Sequence, residues 1–285
     1  MATDLLSDKH LRLREACASL GSALVAFSGG VDSTLLLKVA FDALRDRCLA
    51  VTAKSETYLD EELTDAIDLA KQIGVRHLVV ETSELAIEGY AKNPGNRCFF
   101  CKDELFSRLG PIAEREGCAW VLYGANASDL GEFRPGMEAA RGRGVKAPLL
   151  EAGLTKDDIR ALARDLGLPN WDHPANACLS SRFPYGTEIT AERLRQVARA
   201  ERAMRDLGFP HVRVRHHDKL ARIEVPSDRI EELARPEVRR RVAEALRAAG
   251  YLYVTVDLIG YRSGSLNEAL RPADVSKPSP VVTPG

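Results

Sequence analysis

No apolar run in this chain approaches the roughly 18 residues that a membrane-spanning helix needs. The stretch from Met1 to Leu20 reads as an amphipathic helix without a signal-peptide core or cleavage site, so a cytoplasmic protein with no membrane partner is expected. Charge of one sign is also lacking. Forty Lys and Arg stand against 41 Asp and Glu, a net charge of −1, so no global field favours nucleic acid. There is no internal repeat and no G-x-x-x-x-G-K-[ST] phosphate loop. Cysteine is limited to six residues; in a reducing compartment these are buried, metal-bound or catalytic rather than disulfide-bonded. What is present is an ordinary composition, 285 residues with 45% hydrophobic and 28% charged, enough for one large or two medium domains with a real core.

The chain is organised around Leu24-Val25-Ala26-Phe27-Ser28-Gly29-Gly30-Val31-Asp32-Ser33-Thr34. Four apolar residues suited to a buried strand run into Ser-Gly-Gly, and the helix-compatible run Leu35 to Ala40 follows at once. That predicts a strand, a tight turn and a helix start. Glycine lets the backbone turn sharply and come close to a ligand. The free N–H groups and the positive end of the helix dipole then favour a bound anion. Hydroxyls on Ser28, Ser33 and Thr34 add donors, and Asp32 suits a cation bridging phosphates. A Gly-rich turn that merely packs well is the plain alternative.

From here the pattern predicts a helix to about Asp46, a strand Cys48 to Ala53, and a helix Asp60 to Ile73 closed by Gly74. A strand His77 to Glu81, a helix opening near Asn96 and running to about Gly117, and a strand Ala119 to Tyr123 follow. Such alternation predicts a doubly wound parallel α/β sheet, with ligands beyond the carboxyl ends of its strands. Ala53 to Tyr58 is then a candidate adenosine contact, and Gly124 to Asp129 lies on the same edge. Asp129 either assists Mg²⁺ or orients substrate, or it caps a short helix. Glu132 to Gly144, rich in Arg and Gly, is expected as a mobile loop offering Arg134 and Arg143 to anions. Thr155 should cap a helix to Leu166. Beyond a rigid connector, Leu168 to Pro174, the segment Ala177 to Gly186 is kept irregular by proline and glycine, which suits a functional loop.

A domain boundary is expected near Gly186, giving an α/β domain over 1–186 and a smaller α+β domain over 187–270. The latter should hold a helix Ala191 to Leu207, an antiparallel pair Val212–Arg215 and Leu220–Val225, a helix Ser227 to Ala249 and a strand Tyr251 to Leu258. Residues 271–285, rich in Pro and Ser, are expected as a disordered tail.

The S-G-G-x-D-S pattern of Ser28 to Ser33 resembles the PP-loop family of ATP pyrophosphatases, which split ATP between the α and β phosphates and activate substrates by adenylation. In that family the segment matching Ala53 meets the base, largely through backbone atoms. Further motifs narrow the likeness. They are Asn96-Arg97-Cys98-Phe99-Phe100-Cys101-Lys102, Tyr123-Gly124-Ala125-Asn126 with Asp129, Arg134-Pro135-Gly136 and Pro148-Leu149-Leu150. Gly153-Leu154-Thr155-Lys156, Trp171-Asp172 with Pro174, Ala177-Cys178-Leu179-Ser180-Ser181-Arg182 and Gly260-Tyr261-Arg262-Ser263-Gly264 complete the set. Together, over nearly the whole chain apart from the tail, they are similar to LarE, the ATP-dependent sulfur transferases that mature the nickel-pincer cofactor of lactate racemase. The resemblance implies ATP and Mg²⁺ as cofactors and a pyridinium-3,5-biscarboxylic acid mononucleotide as substrate. A carboxylate would be adenylated and its oxygen replaced by sulfur, in a homo-oligomer without nucleic acid.

An acyl adenylate needs a nucleophile, and a thiolate is the strongest available. Cys178 lies in the irregular loop close to Arg182, which could lower its pKa and hold the thiolate; a structural buried cysteine is the alternative. In family members of the sacrificial type, the matching cysteine attacks the adenylate, gives up its sulfur and is left as dehydroalanine. Cys98 and Cys101 complicate this, because a single C-x-x-C cannot fill a four-ligand zinc site. With Cys178 as third thiolate, the likeness to three-cysteine relatives implies a 4Fe-4S cluster whose open iron carries sulfide. Zinc with a nearby histidine, a redox pair and a chance helix turn remain alternatives. In the second domain Arg213 and Arg215 alternate on one strand face and suit the phosphate of a mononucleotide, unless that face is merely solvated. Arg262, beside Gly260 and Gly264, is a further anion candidate, and Asp257 and Glu224 either bind a cation or anchor the arginines. His216 and His217 point to opposite faces of a strand and do not make a metal site. The rival activities are a tRNA thiolase, which would need a basic stripe, an ammonia-using ligase such as NAD synthetase, and a non-catalytic nucleotide sensor.

Overall fold

The computed structural model describes residues 2–87, 89–130, 134–173, 177–262 and 264–269. They fall into two units, residues 1–84 with 98–176, and residues 85–97 with 177–285. The tail expected over 271–285 lies outside the described residues.

In the first unit the strands β1 (Ala23–Ala26), β2 (Cys48–Lys54), β3 (Arg76–Glu81) and β4 (Trp120–Leu122) form one sheet in the order β3-β2-β1-β4. All three pairings are parallel, with Ala23 opposite both Cys48 and Trp120. The helices are α1 (Ala2–Ala18), α2 (Val31–Leu44), α3 (Asp60–Ile73), α4 (Arg97–Arg115), α5 (Pro135–Gly142), α6 (Pro148–Glu151) and α7 (Lys156–Asp165). Alternate strand residues point to opposite faces, and here both faces are buried. Leu24, Leu49 and Val51 pack with Phe106, Leu109 and Ile112 of α4. Val25 and Ala50 pack with Leu13 of α1, Leu35 to Leu37 of α2, and Ile159 and Leu162 of α7. A sheet covered twice requires near-continuous apolar strands, which is why Ala23 to Val25 lack a polar residue.

The strand order reverses at β1: the chain runs outward to β2 and β3, then returns to place β4 on the other side of β1. Such a switch point opens a crevice beyond the strand ends. Both edges of that crevice are short turns into or out of the sheet. Helix α3 ends at Gly74 as expected, in the left-handed region at φ 84°. Thr155 caps α7 through a reciprocal pairing with Asp158, a device worth about 1 kcal/mol.

The second unit holds α8 (Ala191–Asp206), β5 (Arg213–His217), β6 (Leu220–Glu224), α9 (Ile230–Ala234), α10 (Pro236–Ala248) and β7 (Tyr253–Val256). Strands β5 and β6 are antiparallel, and β7 adds parallel to β6. Val214, Ala221, Ile223, Met204, Val242 and Leu246 form its core.

Four expectations change. The loop expected over Glu132–Gly144 is instead helix α5 from Pro135, a residue preorganised for the first helical position; residues 131–133 lie outside the described ones. The single helix expected over Ser227–Ala249 is broken, because Pro236 holds Arg235 extended at φ −58°, ψ 140°. The final strand is shorter than Tyr251–Leu258 and covers Tyr253–Val256. The boundary falls between 176 and 177 rather than at Gly186, and 85–97 joins the second unit. The reason is bonding: Gly186 N–H donates to Asn93 O (2.9 Å) and Ile189 N–H to Ala91 O (2.8 Å), while Asn93 Nδ2 donates to Pro184 O (2.7 Å). The loop carrying Cys178 therefore travels with the second unit.

Candidate functional site

Phe27 N–H donates to Val51 O at 2.9 Å, prolonging the β1–β2 pairing by one residue before the chain turns at Ser28-Gly29-Gly30. Gly29 has φ 72°, and a Cβ there would stand 3.2 Å from Ala66 Cβ of α3, so glycine is required twice over. Each carbonyl of this turn is taken from behind. Tyr58 hydroxyl donates to Ser28 O (2.7 Å), and Asn170 Nδ2 to Gly29 O (2.8 Å). Gly30 O accepts from Ser33 Oγ (3.0 Å) and Thr34 Oγ1 (2.9 Å). With acceptors turned inward and no side-chain cap on α2, its first-turn N–H groups are left for an anion. Ser28 is exposed and Asp32 half-buried; Ser33 is buried, its hydroxyl donating to Gly30 O and accepting Ser28 N–H at 3.3 Å, so its side chain too is engaged within the turn. Thr34 corrects the expectation that its hydroxyl meets phosphate. It is fully buried, and Oγ1 is spent on Gly30 O and on accepting Asn170 Nδ2 at 2.9 Å.

Gly124, just past β4, lies directly against this helix start: a Cβ there would be 3.1 Å from Ser33 N and 3.3 Å from the Asp32 carbonyl carbon. Ala53, half-buried near the end of β2, pairs in register with Val80. A cleft of about 610 Å³ opens beside Ser28 and Gly29, walled by Glu62, Asp65, Asn170 and His173.

Asp32 is gripped by Lys156, whose Nζ donates to both carboxylate oxygens at 2.7 Å. Burial nonetheless pushes its carboxyl above the usual range, Lys156 opposing and the charge of Asp129 adding to the rise. Hard carboxylate oxygens facing an anion cradle, with a second acid close enough to be felt, fit Mg²⁺. Asp129 itself is not the N-cap of its short helix. It closes the turn from the third position, accepting Asn126 N–H at 3.0 Å, and pairs with Arg134 at 3.0 Å. Arg143 is held bidentately by Asp103.

Cys98 is exposed and Cys101 half-buried; at spacing i, i+3 they share one side of the first turns of α4. Cys101 Sγ contacts Glu84 Oε1 at 3.8 Å. Among the described residues no three His, Cys, Asp or Glu are gathered to hold a metal ion. The expected cluster set is divided, Cys98 and Cys101 belonging to the first unit and Cys178 to the second.

In the second unit, Cys178 is exposed at the head of the tight turn Leu179–Arg182. Arg182, expected beside the Cys178 thiolate, is bound to the backbone of that cysteine and to a carboxylate. It is 4% exposed, and Nε and Nη2 pair with Glu201 at 2.8 and 2.9 Å. Its Nη1 donates to the carbonyls of Ala177 (2.5 Å) and Cys178 (3.1 Å). Arg215 is equally committed, to Ser181 O and to Glu224, both at 2.7 Å. The face of β5 is thus not a solvated one, and Arg215 is an anchor. Arg213 is half-buried, its guanidinium 5.5 Å from the Tyr261 ring centroid; burial and the charge of Arg182 push its pKa down. That makes it the better placed of the two for an anion. Arg262 is exposed and paired with Glu268. Glu224 and Asp257 serve as anchors for Arg215 and Arg222. His216 is a core residue, with Nδ1 3.1 Å from Tyr251 hydroxyl and its ring stacked near Phe183.

Sequence reasoning gave no role of their own to Tyr58, Lys156, Asn170 and Arg97, named only within longer stretches, and missed Glu201. Their partners lie as far as 124 residues away for Lys156 and 141 for Asn170, and no local pattern signals such pairs.

The family model of NAD synthase matches residues 8–98. A pyridinium-3,5-bisthiocarboxylic acid mononucleotide synthase of Lactiplantibacillus plantarum is 42% identical over 277 residues, 97% of this chain and 99% of that protein. An uncharacterized protein of Synechocystis is 47% identical over 266 residues, 93% of this chain and 99% of its own length. A glutamine-hydrolyzing GMP synthase of Phaeosphaeria nodorum is 28% identical over 57% of this chain.

Proposed function

We propose an activity on the premise that the chain belongs to the LarE family of ATP-dependent sulfur transferases, the family of the Lactiplantibacillus plantarum synthase. It is an ATP-using enzyme that converts a carboxylate of pyridinium-3,5-biscarboxylic acid mononucleotide to a thiocarboxylate. The observation that carries the reading is the Ser28 to Ser33 turn, with its carbonyls turned inward and the helix that follows it lacking a side-chain cap on its first-turn N–H groups. The Gly124 edge and the strand end at Ala53 flank the same loop, and Asp32 with Asp129 would hold Mg²⁺, which supplies charge neutralisation on the phosphates. The substrate carboxylate attacks the α-phosphorus, pyrophosphate leaves, and an acyl adenylate remains. Arg213 and Arg262 are assigned to the substrate's phosphate, with Arg215 fastening the strand from which Arg213 projects.

The sulfur comes either from Cys178 itself or from sulfide on a cluster that Cys178 helps to hold. As sacrificial donor, its thiolate forms a bond to the acyl carbon and AMP departs. Loss of the Cα proton then breaks the Cβ–S bond, leaving dehydroalanine on the chain and sulfur on the product. With Cys98, Cys101 and Cys178 as ligands, a 4Fe-4S cluster would supply an open iron able to hold exogenous sulfide.

Anaerobic purification followed by iron and sulfide analysis, with product mass spectrometry, tests the reading. About four irons and four sulfides per chain, lost in Cys98→Ala and equally in Cys178→Ala, make the three cysteines cluster ligands; an iron-free, active enzyme should show Cys178 lighter by one H₂S after a turnover. Pyrophosphate release driven equally well by ammonia, with no thiolated product, would overturn the proposal. The same family placement carries the expectation of a homo-oligomer, which sedimentation velocity checks.

A further inference from the structure

A reactive thiol on an irregular loop raises a question about that loop's backbone. Within the turn Ser181 N–H donates to Cys178 O (2.9 Å) and Phe183 N–H to Ser180 O at a longer 3.3 Å. A carbonyl has room for a second donor, and one at a buried residue such as Ser180 has little access to water. Guanidinium groups supply these further donors. Arg182 takes the carbonyls of Ala177 and Cys178, Arg215 takes Ser181 O, and Arg97 takes Ser180 O with Nη1 at 2.9 Å.

Arg97 differs from the others in where it comes from. Arg182 lies within the loop and Arg215 on β5, whereas Arg97 ends the segment 85–97 that joins the second unit. It is 3% exposed. The same Nη1 also bonds Asn93 Oδ1, and the guanidinium carbon lies 5.9 Å from the Tyr185 ring centroid. Asn93 in turn donates to Phe183 O (3.3 Å) and Pro184 O (2.7 Å), and Tyr90 hydroxyl bonds Ser180 Oγ at 2.6 Å. Tyr90, Asn93 and Arg97 thus form a second wall against which the loop from Ser180 to Tyr185 is set. Both hydrogen bonds leave the single nitrogen Nη1, and the delocalised charge of the same guanidinium lies by the Tyr185 ring.

We infer that Arg97 is a positioning residue for sulfur delivery: by holding Ser180 O it fixes the turn that presents Cys178. The inference rests on the proposed role of Cys178, but its structural half can be measured without it. The test uses the full chain with Arg97→Met and Arg97→Lys, reading hydrogen–deuterium exchange over 178–186, ATP-dependent pyrophosphate release, and thiolated product. In R97M, exchange over 178–186 should quicken at least tenfold while peptides of β1, β2 and α2 keep their protection. Product should fall at least tenfold and pyrophosphate release by less than twofold. R97K, which keeps a charged donor but loses the planar guanidinium, should fall between and partly restore transfer. Should R97M prove unstable, R97K carries the same readings. Unchanged exchange over 178–186, or product and pyrophosphate falling together in R97K, would overturn the inference. A wild-type chain that forms no thiolated product refutes the sulfur-transfer reading instead, and the exchange result then decides the positioning alone.

Discussion

Replacing Glu201 by Gln keeps the shape of the side chain and removes its charge, at the most deeply buried ion pair of the second unit. Glu201 is 1% and Arg182 4% exposed, the pair is bidentate at 2.8 and 2.9 Å, and Glu201 Oε1 also accepts Val214 N–H at 3.0 Å. Burial alone would push the Glu201 carboxyl up, yet the adjoining guanidinium outweighs it and holds the pKa below the ordinary value. Removing one partner leaves a buried cation and turns an amide N–H₂ toward it, a loss of about 3–5 kcal/mol. For a unit of this size that is a fall in melting temperature of roughly 10 °C or more. The double variant R182M/E201M removes both charges, and apolar replacement of a buried pair is close to neutral. It still strips the donor from the Ala177 and Cys178 carbonyls, at about 1–3 kcal/mol. Calorimetry should therefore find the double variant more stable than E201Q, while product assays find both deficient in sulfur transfer. Acid should narrow the gap between E201Q and wild type. A carboxyl whose pKa is lowered on folding stabilises above the ordinary carboxylate range, and that stabilisation is lost as pH falls through the folded value. An E201Q protein melting within about 2 °C of wild type would refute the reasoning.

Gly124→Ala places a Cβ 3.1 Å from Ser33 N, against backbone on both sides. Displacing the helix start by a few tenths of an ångström should weaken binding of a non-hydrolysable ATP analogue about tenfold, measured by titration calorimetry, and unaltered affinity would count against the cradle. Lys156→Met removes the cation opposing burial at Asp32. The carboxyl should rise further, so pyrophosphate release should need more Mg²⁺, increasingly so as pH falls; an unchanged Mg²⁺ dependence at two pH values would contradict this. Burial lowers the pKa of His216, so the folded state binds fewer protons than the unfolded one and stability should drop as pH falls below the ordinary histidine value of about 6.5. His216→Phe should flatten that part of the melting-temperature profile, and an equal slope in the variant would exclude His216 as its source.

The parallel sheet was legible because its causes are local. Leu24 and Val25 each need a buried face, Gly74 needs a left-handed φ, and Thr155 needs Asp158 three residues on. The Ser28 to Ser33 loop was legible for the same reason. What misled was composition read without its neighbours. Arg and Gly between 132 and 144 suggested mobility, yet Pro135 starts a helix whose Ala139 and Ala140 are buried. Arginines on β5 suggested a solvated or anion-binding face, yet Glu224, nine residues later, neutralises Arg215. Proximity in sequence put Arg182 with Cys178, whose carbonyl it does bind, but gave no sign of the carboxylate 19 residues on that pairs with it. Side chains whose role is to satisfy a distant carbonyl leave no periodic trace, and Asn170, Lys156 and Arg97 are of that kind.

Those residues share a physical task. A loop that offers amides to an anion must hide its carbonyls, since an outward carbonyl would repel the phosphate. In the first unit this falls to neutral donors, namely the Tyr58 hydroxyl, the Asn170 amide and the hydroxyls of Ser33 and Thr34. Neutral donors leave the positive potential of the helix start undisturbed. The Cys178 loop has the opposite requirement. Its carbonyls are taken by cations, Arg97, Arg182 and Arg215, and a thiolate is favoured where positive charge is close. Carboxylates hold two of those cations in place, Glu201 for Arg182 and Glu224 for Arg215. Exchanging the donor types should damage each loop in its own way. A cation at position 170 would compete with Mg²⁺ for the phosphates, whereas Arg97→Lys would keep the charge and disturb the geometry. If field rather than geometry governs the second loop, R97K should loosen the exchange protection of 178–186 and still leave alkylation of Cys178 by iodoacetamide at the wild-type rate. If geometry governs it, alkylation in R97K should change together with the protection.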